Sequence, residues 1–109
     1  MPFTSGLAVR ILTHEGARAG HHSLADAVIE VVKRERLAGV TVTRALEGYS
    51  AHGGARTSNW ADLGDDLPLT IEIIDSVERI ERVLPEITEL VKDGTLTVTP
   101  TRLYSPHES

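Results

Sequence analysis

Apolar residues recur with period two at Leu7, Val9 and Ile11 while Arg10 falls on the opposite face, so residues 7–12 read as a strand. A polar, glycine-containing loop follows over 13–22. Leu24, Ala27, Val28, Val31 and Val32 then recur at helical spacing as far as about Arg36. Ser23 is placed to cap the first free amides, Asp26 suits the positive end of the helix dipole, and Gly39 closes the segment. Residues 40–47 alternate and are dense in β-branched side chains, which predicts a second strand ending at Gly48-Tyr49. Over 50–66 no period is sustained, and a loop of that length inside a small domain is usually functional or mobile. Alternation returns over 67–74, with Leu67, Leu69, Ile71 and Ile73 on one face and Thr70 and Glu72 on the other. Asp75 and Glu78 have the spacing of a capping box. Val77, Ile80, Leu84, Ile87 and Val91 form the stripe of a second helix, which Pro85 is expected to bend or break. Asp93-Gly94 is a stop, 95–99 a short last strand with Leu96 and Val98 inward, and the tail from Pro100 has no clear pattern.

The order is strand, helix, strand, long loop, strand, helix, strand. Such a βαββαβ succession predicts an α+β, ferredoxin-like sandwich, with a four-stranded antiparallel sheet carrying both helices on one face. The other face would hold Ala8, Arg10, Leu12, Thr41, Thr43, Ala45, Thr70, Glu72 and Ile74, a set too apolar for free solvent. Oligomerisation over that face is the economical solution, with Arg10 and Glu72 expected to pair across neighbouring strands.

Length narrows this to a single domain over 1–109, with its core at about 7–100. With 11 basic against 16 acidic side chains and a net charge of −5, the chain lacks the cationic field of a nucleic-acid binder. Its four aromatic residues, Phe3, Tyr49, Trp60 and Tyr104, are too few for a base-stacking platform. The absence of cysteine removes disulfides and thiolate chemistry and permits a reducing compartment. The short apolar start is broken by Arg10, which argues against a signal peptide or a membrane span. These points together predict a cytoplasmic protein without membrane insertion.

Four strings in order carry a resemblance: Leu37-Ala38-Gly39-Val40-Thr41-Val42, Glu47-Gly48-Tyr49, Asp66-Leu67-Pro68, and Ile71-Glu72-Ile73-Ile74-Asp75. Over about residues 7–100 the chain resembles the uncharacterised PII-like family, small proteins related to the nitrogen-regulatory PII signal-transduction proteins. The resemblance implies a homotrimer built on the open sheet faces, a small-molecule site in each cleft between subunits, and a long T-loop at 50–66 that senses effectors and touches a regulated transporter or enzyme. It implies ligand-binding roles for Gly48, Gly53 and Gly54 at the loop base, Lys92, Asp93 and Gly94 at the turn after the second helix, and Arg102 after the last strand. The turn is poorer in glycine and lysine than its PII counterpart, and no tyrosine matches the modifiable loop residue. The implied effector is an adenine nucleotide, with one less charged than a triphosphate left open by this turn.

The residues also allow blander readings. Gly53-Gly54-Ala55-Arg56 could cradle an anion with Arg56 as its cation, but it lacks a P-loop's Gly-Lys-Ser/Thr and reads first as flexible loop. Trp60 either packs under the loop or contacts a partner. Glu15, Asp65 and Asp66 could form an acid/base set, yet no nucleophile or paired base stands at a recognisable spacing, so no enzyme and no catalytic residue is expected. The histidines His14, His21, His22, His52 and His107 read as surface loop residues, since the adjacent pair does not converge easily on one ion. Two alternatives stay open: a divalent-metal-tolerance type protein on the same trimeric scaffold, and a ligand-free adaptor.

Overall fold

The computed structural model describes residues 2–50, 54–57 and 66–106. A four-stranded antiparallel sheet is built from β1 (Phe3–His14), β4 (Gly39–Arg44), β7 (Pro68–Ser76) and β8 (Thr95–Tyr104), in the order β4-β7-β1-β8. Helices α1 (Leu24–Glu35) and α2 (Val77–Leu90) complete the expected βαββαβ sandwich. Two small ribbons are added: β2 (Arg18–Ala19) with β3 (His22–Ser23), and β5 (Glu47–Ser50) with β6 (Gly54–Thr57).

The core lies between the helices and one sheet face. Val9 and Ile11 of β1 meet Ile71 and Ile73 of β7, and over them lie Leu24, Val28, Val31 and Val32 of α1 with Ile80, Val83 and Ile87 of α2. Period two on the strands and the 3.6-residue period on the helices select these side chains, as the sequence pattern required. On the opposite face Arg10 and Glu72 stand in register across β1 and β7, and Arg10 Nε donates to Glu72 Oε2 at 2.8 Å.

Several boundaries differ from expectation, each for a local reason. The first helix is closed by Arg36, which turns left-handed at φ 55°, and the Leu37 amide bonds back to the Val32 carbonyl at 3.1 Å; Gly39 instead opens β4. The second strand stops at Arg44, short of 47, and Ala45 lies past its end, although its amide still donates to the Pro68 carbonyl. The cap of α2 is Ser76, whose hydroxyl accepts from the Arg79 amide, because the Asp75 carboxylate is engaged elsewhere. Pro85 does not interrupt α2. It sits on the exposed side of the helix, beside an open groove of about 410 Å³ lined by Glu81, Leu84, Pro85 and Thr88, where water can reach the Glu81 carbonyl that lacks its amide partner. The last strand runs on to Tyr104, since an edge strand leaves alternate amides outside the ladder and tolerates Pro100. Arg102 lies over the Phe3 ring at 4.7 Å, and Phe3 meets Tyr104 with ring centroids 5.1 Å apart, which closes the far end of the β1–β8 pair. Val98 is inward by register with Val9 yet 39% exposed, because β8 lies at the sheet edge.

The stretch expected to be loop over 50–66 contains part of the β5–β6 ribbon, in which Gly48 faces Arg56 and Ser50 faces Gly54. Backbone pairing here needs no alternating apolar pattern, so the sequence hid it. Gly53, Trp60, Asp65, His52 and His107 lie outside the described residues.

Candidate functional site

Three segments converge at the end of β1. The strand delivers Thr13 and His14, with Glu15 just beyond its end; Asp66 and Leu67 lead into β7; the turn between α2 and β8 brings Lys92, Asp93 and Gly94. Gly94 is required by this approach. Its φ of +143° suits glycine, and a Cβ there would stand 2.6 Å from the Leu12 carbonyl oxygen. Gly48 approaches Pro68 closely as well, with a hypothetical Cβ 3.0 Å from the proline ring, and this sets the ribbon base against the start of β7.

His14 is the centre of the cluster. Its Nδ1 lies 2.7 Å from Asp66 Oδ1, its Nε2 contacts Asp93 Oδ2, and the Thr13 hydroxyl donates to the Asp93 carbonyl at 2.7 Å. The Gly16 amide donates to the same Asp66 oxygen at 2.6 Å. Burial works against charging the imidazole, but the hydrogen bonds and charges of Asp93 and Asp66 outweigh it and push the His14 pKa up. Glu15 is satisfied beside it, accepting from the Leu67 amide at 3.0 Å and from Arg44 at 3.2 Å. Glu15 and Asp66 are thus bonded structural acids here, although Asp66 keeps its carboxylate 41% exposed. Periodicity offered no reason to single out His14. The only available signal was its place at a strand end, with acidic residues at the two later turns.

The structure brings Asp93 and Gly94 to β1, and Gly48 to the start of β7. Gly54 and Arg56 fall on β6. Lys92 is exposed in the turn. Arg102 is not part of this cluster within one subunit, because the β1–β8 register places it beside Ser5, roughly 23 Å of strand from Thr95. His21 and His22 are exposed on the β2–β3 ribbon. Among the described residues no three His, Asp or Glu side chains are disposed to hold one metal ion. The two His14 nitrogens point to carboxylates on opposite sides of the ring, which suits proton sharing.

The model of DUF190, an uncharacterized ACR family, matches residues 6–103. The chain belongs to the DUF190 family. Among its relatives, a UPF0166 protein of Methanocaldococcus jannaschii is 31% identical over 97 residues, covering 88% of this chain and 89% of that protein. A UPF0166 protein of Aquifex aeolicus is 35% identical over 79 residues, covering 72% and 75%. Among solved structures, this DUF190 chain resembles CPII, a nitrogen regulatory PII-like protein from Thiomonas intermedia bound to ADP, AMP and bicarbonate. The TM-score is 0.63 at 16% identity, over 95% of this chain and 92% of CPII. It also resembles a putative PII-like signaling protein from Thermus thermophilus, with a TM-score of 0.56 at 22% identity over 95% and 92%. The fold of this DUF190 member is therefore PII-like. No helix among its described residues is long and apolar enough to cross a membrane.

Proposed function

We propose that this chain is a PII-like regulatory subunit of the cytoplasm that binds an adenine nucleotide, ADP or AMP, at clefts between the subunits of a homotrimer. The observation that carries this reading is the convergence of the ribbon base, the end of β1 and the α2–β8 turn at one end of a PII-like sheet. The nucleotide-bound state of the similarly folded CPII supports it. Backbone amides at Gly48, Gly54 and Gly94 would donate to a phosphate, while Arg56 and Lys92 would supply charge. Gly53 belongs to the same reading from sequence alone. Asp93 would accept from a ribose or base donor, as a carboxylate does. Arg102 reaches such a site only from a neighbouring subunit, which ties binding to assembly. Occupancy then acts on residues 50–66 and through them on a transporter or enzyme, without a chemical step.

The open sheet face supports the assembly. Leu12 is 46% exposed there, beside Ala8, Ile74 and the Arg10–Glu72 pair, a mixture suited to burial against further copies. Isothermal titration with ATP, ADP, AMP and cyclic AMP, with and without bicarbonate, tests the ligand. Saturable heat with ADP or AMP is expected, and none at sub-millimolar concentration removes the reading. Light scattering tests the trimer, with a mass about three times the 11.8 kDa subunit expected and a mass near one subunit refuting it.

A further inference from the structure

Both ring nitrogens of His14 face carboxylates, and its side chain is only 13% exposed. An ionised carboxylate can only accept hydrogen bonds, so both contacts are bonds only when both nitrogens carry hydrogen. A neutral imidazole has one N–H and one lone pair. One of its two carboxylates would then face a lone pair, a repulsive contact in a partly buried place. With both acids ionised the cluster is complete only when the imidazole is doubly protonated, and the two acids belong to different segments: Asp66 leads into β7, and Asp93 sits in the α2–β8 turn.

We propose that His14 is a proton-operated latch that joins the lead-in to β7 to the α2–β8 turn, and that loss of one proton frees the Asp93 carboxylate. The two arms are unequal. Asp66 Oδ1 also accepts from the Gly16 amide at 2.6 Å, which holds it in place when the imidazole is neutral. The Asp93 side chain is 53% exposed, and its carboxylate has no second partner among the described residues; only its backbone is held, by the Thr13 hydroxyl. Water can solvate that carboxylate at once, so the neutral ring keeps its N–H on Asp66 and releases Asp93.

The surrounding charges agree with this direction. Asp66 and Asp93 favour the imidazolium, burial opposes it, and the balance raises the His14 pKa. Glu15, next along the chain, is largely compensated by Arg44 of β4, while Lys92 in the turn is the cation nearest Asp93 in sequence. A histidine with a raised folded pKa stabilises the closed form fully below its unfolded value and ceases to do so as pH rises through its folded value. The latch is therefore shut on the acid side and opens as the solution becomes alkaline. It requires no nucleotide, so it stands or falls apart from the proposed ligand.

The test is nuclear magnetic resonance of the isotopically labelled full chain across pH, without nucleotide. His14 is expected to titrate above the ordinary histidine value. The Gly94 amide should follow the His14 midpoint while the Gly16 amide remains protected through it. Asp93→Asn should lower the His14 pKa, because one of the two acids that favour the imidazolium is neutralised. His14→Gln, which cannot gain the second proton, should abolish the pH response of Gly94. A His14 titration no higher than the ordinary histidine value, a Gly94 response that survives His14→Gln, or a His14 pKa unmoved by Asp93→Asn would each overturn the latch.

Discussion

Asp75 is buried at the end of β7, 7% exposed, and its carboxylate serves three donors. It accepts from the Ser76 amide at 2.6 Å, the Ala38 amide at 2.7 Å and Arg79 Nε at 3.1 Å. Arg79 in turn donates through Nη2 to the Glu35 carbonyl at 3.0 Å and to the Arg36 carbonyl, satisfying the last turn of α1. One carboxylate thus joins the end of α1, the approach to β4 and the start of α2. Asp75→Ala removes all three contacts and leaves Arg79 without its counter-charge. Each hydrogen bond to a charged group contributes roughly 1.5–3 kcal/mol. Ala38 is exposed and the Arg79 side chain is 38% exposed, so water recovers part of the loss. The expected net cost is about 3 kcal/mol, against a total stability of roughly 5–15 kcal/mol for a domain. At about 4–8 °C per kcal/mol for a chain near this size, the melting temperature should fall by roughly 12–24 °C at fixed protein concentration. Burial works to raise the Asp75 pKa, but the Ser76 and Ala38 amides and Arg79 outweigh it and hold the pKa below the ordinary aspartate range. A depressed carboxylate pKa gives stability that is full above the unfolded value and lost as pH falls through the folded one. The gap between wild type and Asp75→Asn should therefore be full at neutral pH and shrink below about pH 4. An Asp75→Ala melt within about 2 °C of wild type, or a wild-type to Asp75→Asn gap unchanged down to about pH 3, would refute this account.

Two further substitutions probe the site and the open face. Gly94→Ala forces a side chain into φ +143° and against the Leu12 carbonyl, so thermal denaturation should show a loss of about 2–4 kcal/mol, and the His14 titration should move as Asp93 is displaced. Arg10→Leu leaves Glu72 without its cross-strand partner on the face proposed for assembly, and light scattering should show a mass below the trimer or the onset of aggregation. An unaltered mass and solubility would remove Arg10 from the interface.

The elements that alternation and helical period specify were legible. The β1, β7, α1 and α2 cores, the antiparallel βαββαβ order and the Arg10–Glu72 register all follow from which residues share a face. The candidate cluster was legible only in pieces. Asp93, Gly94 and Gly48 drew attention as turn and loop-base residues, whereas His14 read as one surface histidine among five. Its role comes from acids far along the chain, Asp66 and Asp93, and no local spacing records such a meeting.

What the sequence determined by itself is therefore periodic: the main strands and helices, their order, and which faces are apolar, because burial acts on each short segment separately. The tertiary structure decided everything that depends on neighbours. It let Pro85 stay inside a helix by placing it on the exposed side, and Pro100 inside a strand by placing that strand at the edge. It turned Asp75 from a cap into the anchor of Arg79, and it set a single imidazole between two carboxylates. Hydrogen bonding and charge act between atoms that only folding brings within reach, so these assignments could not be made along the chain.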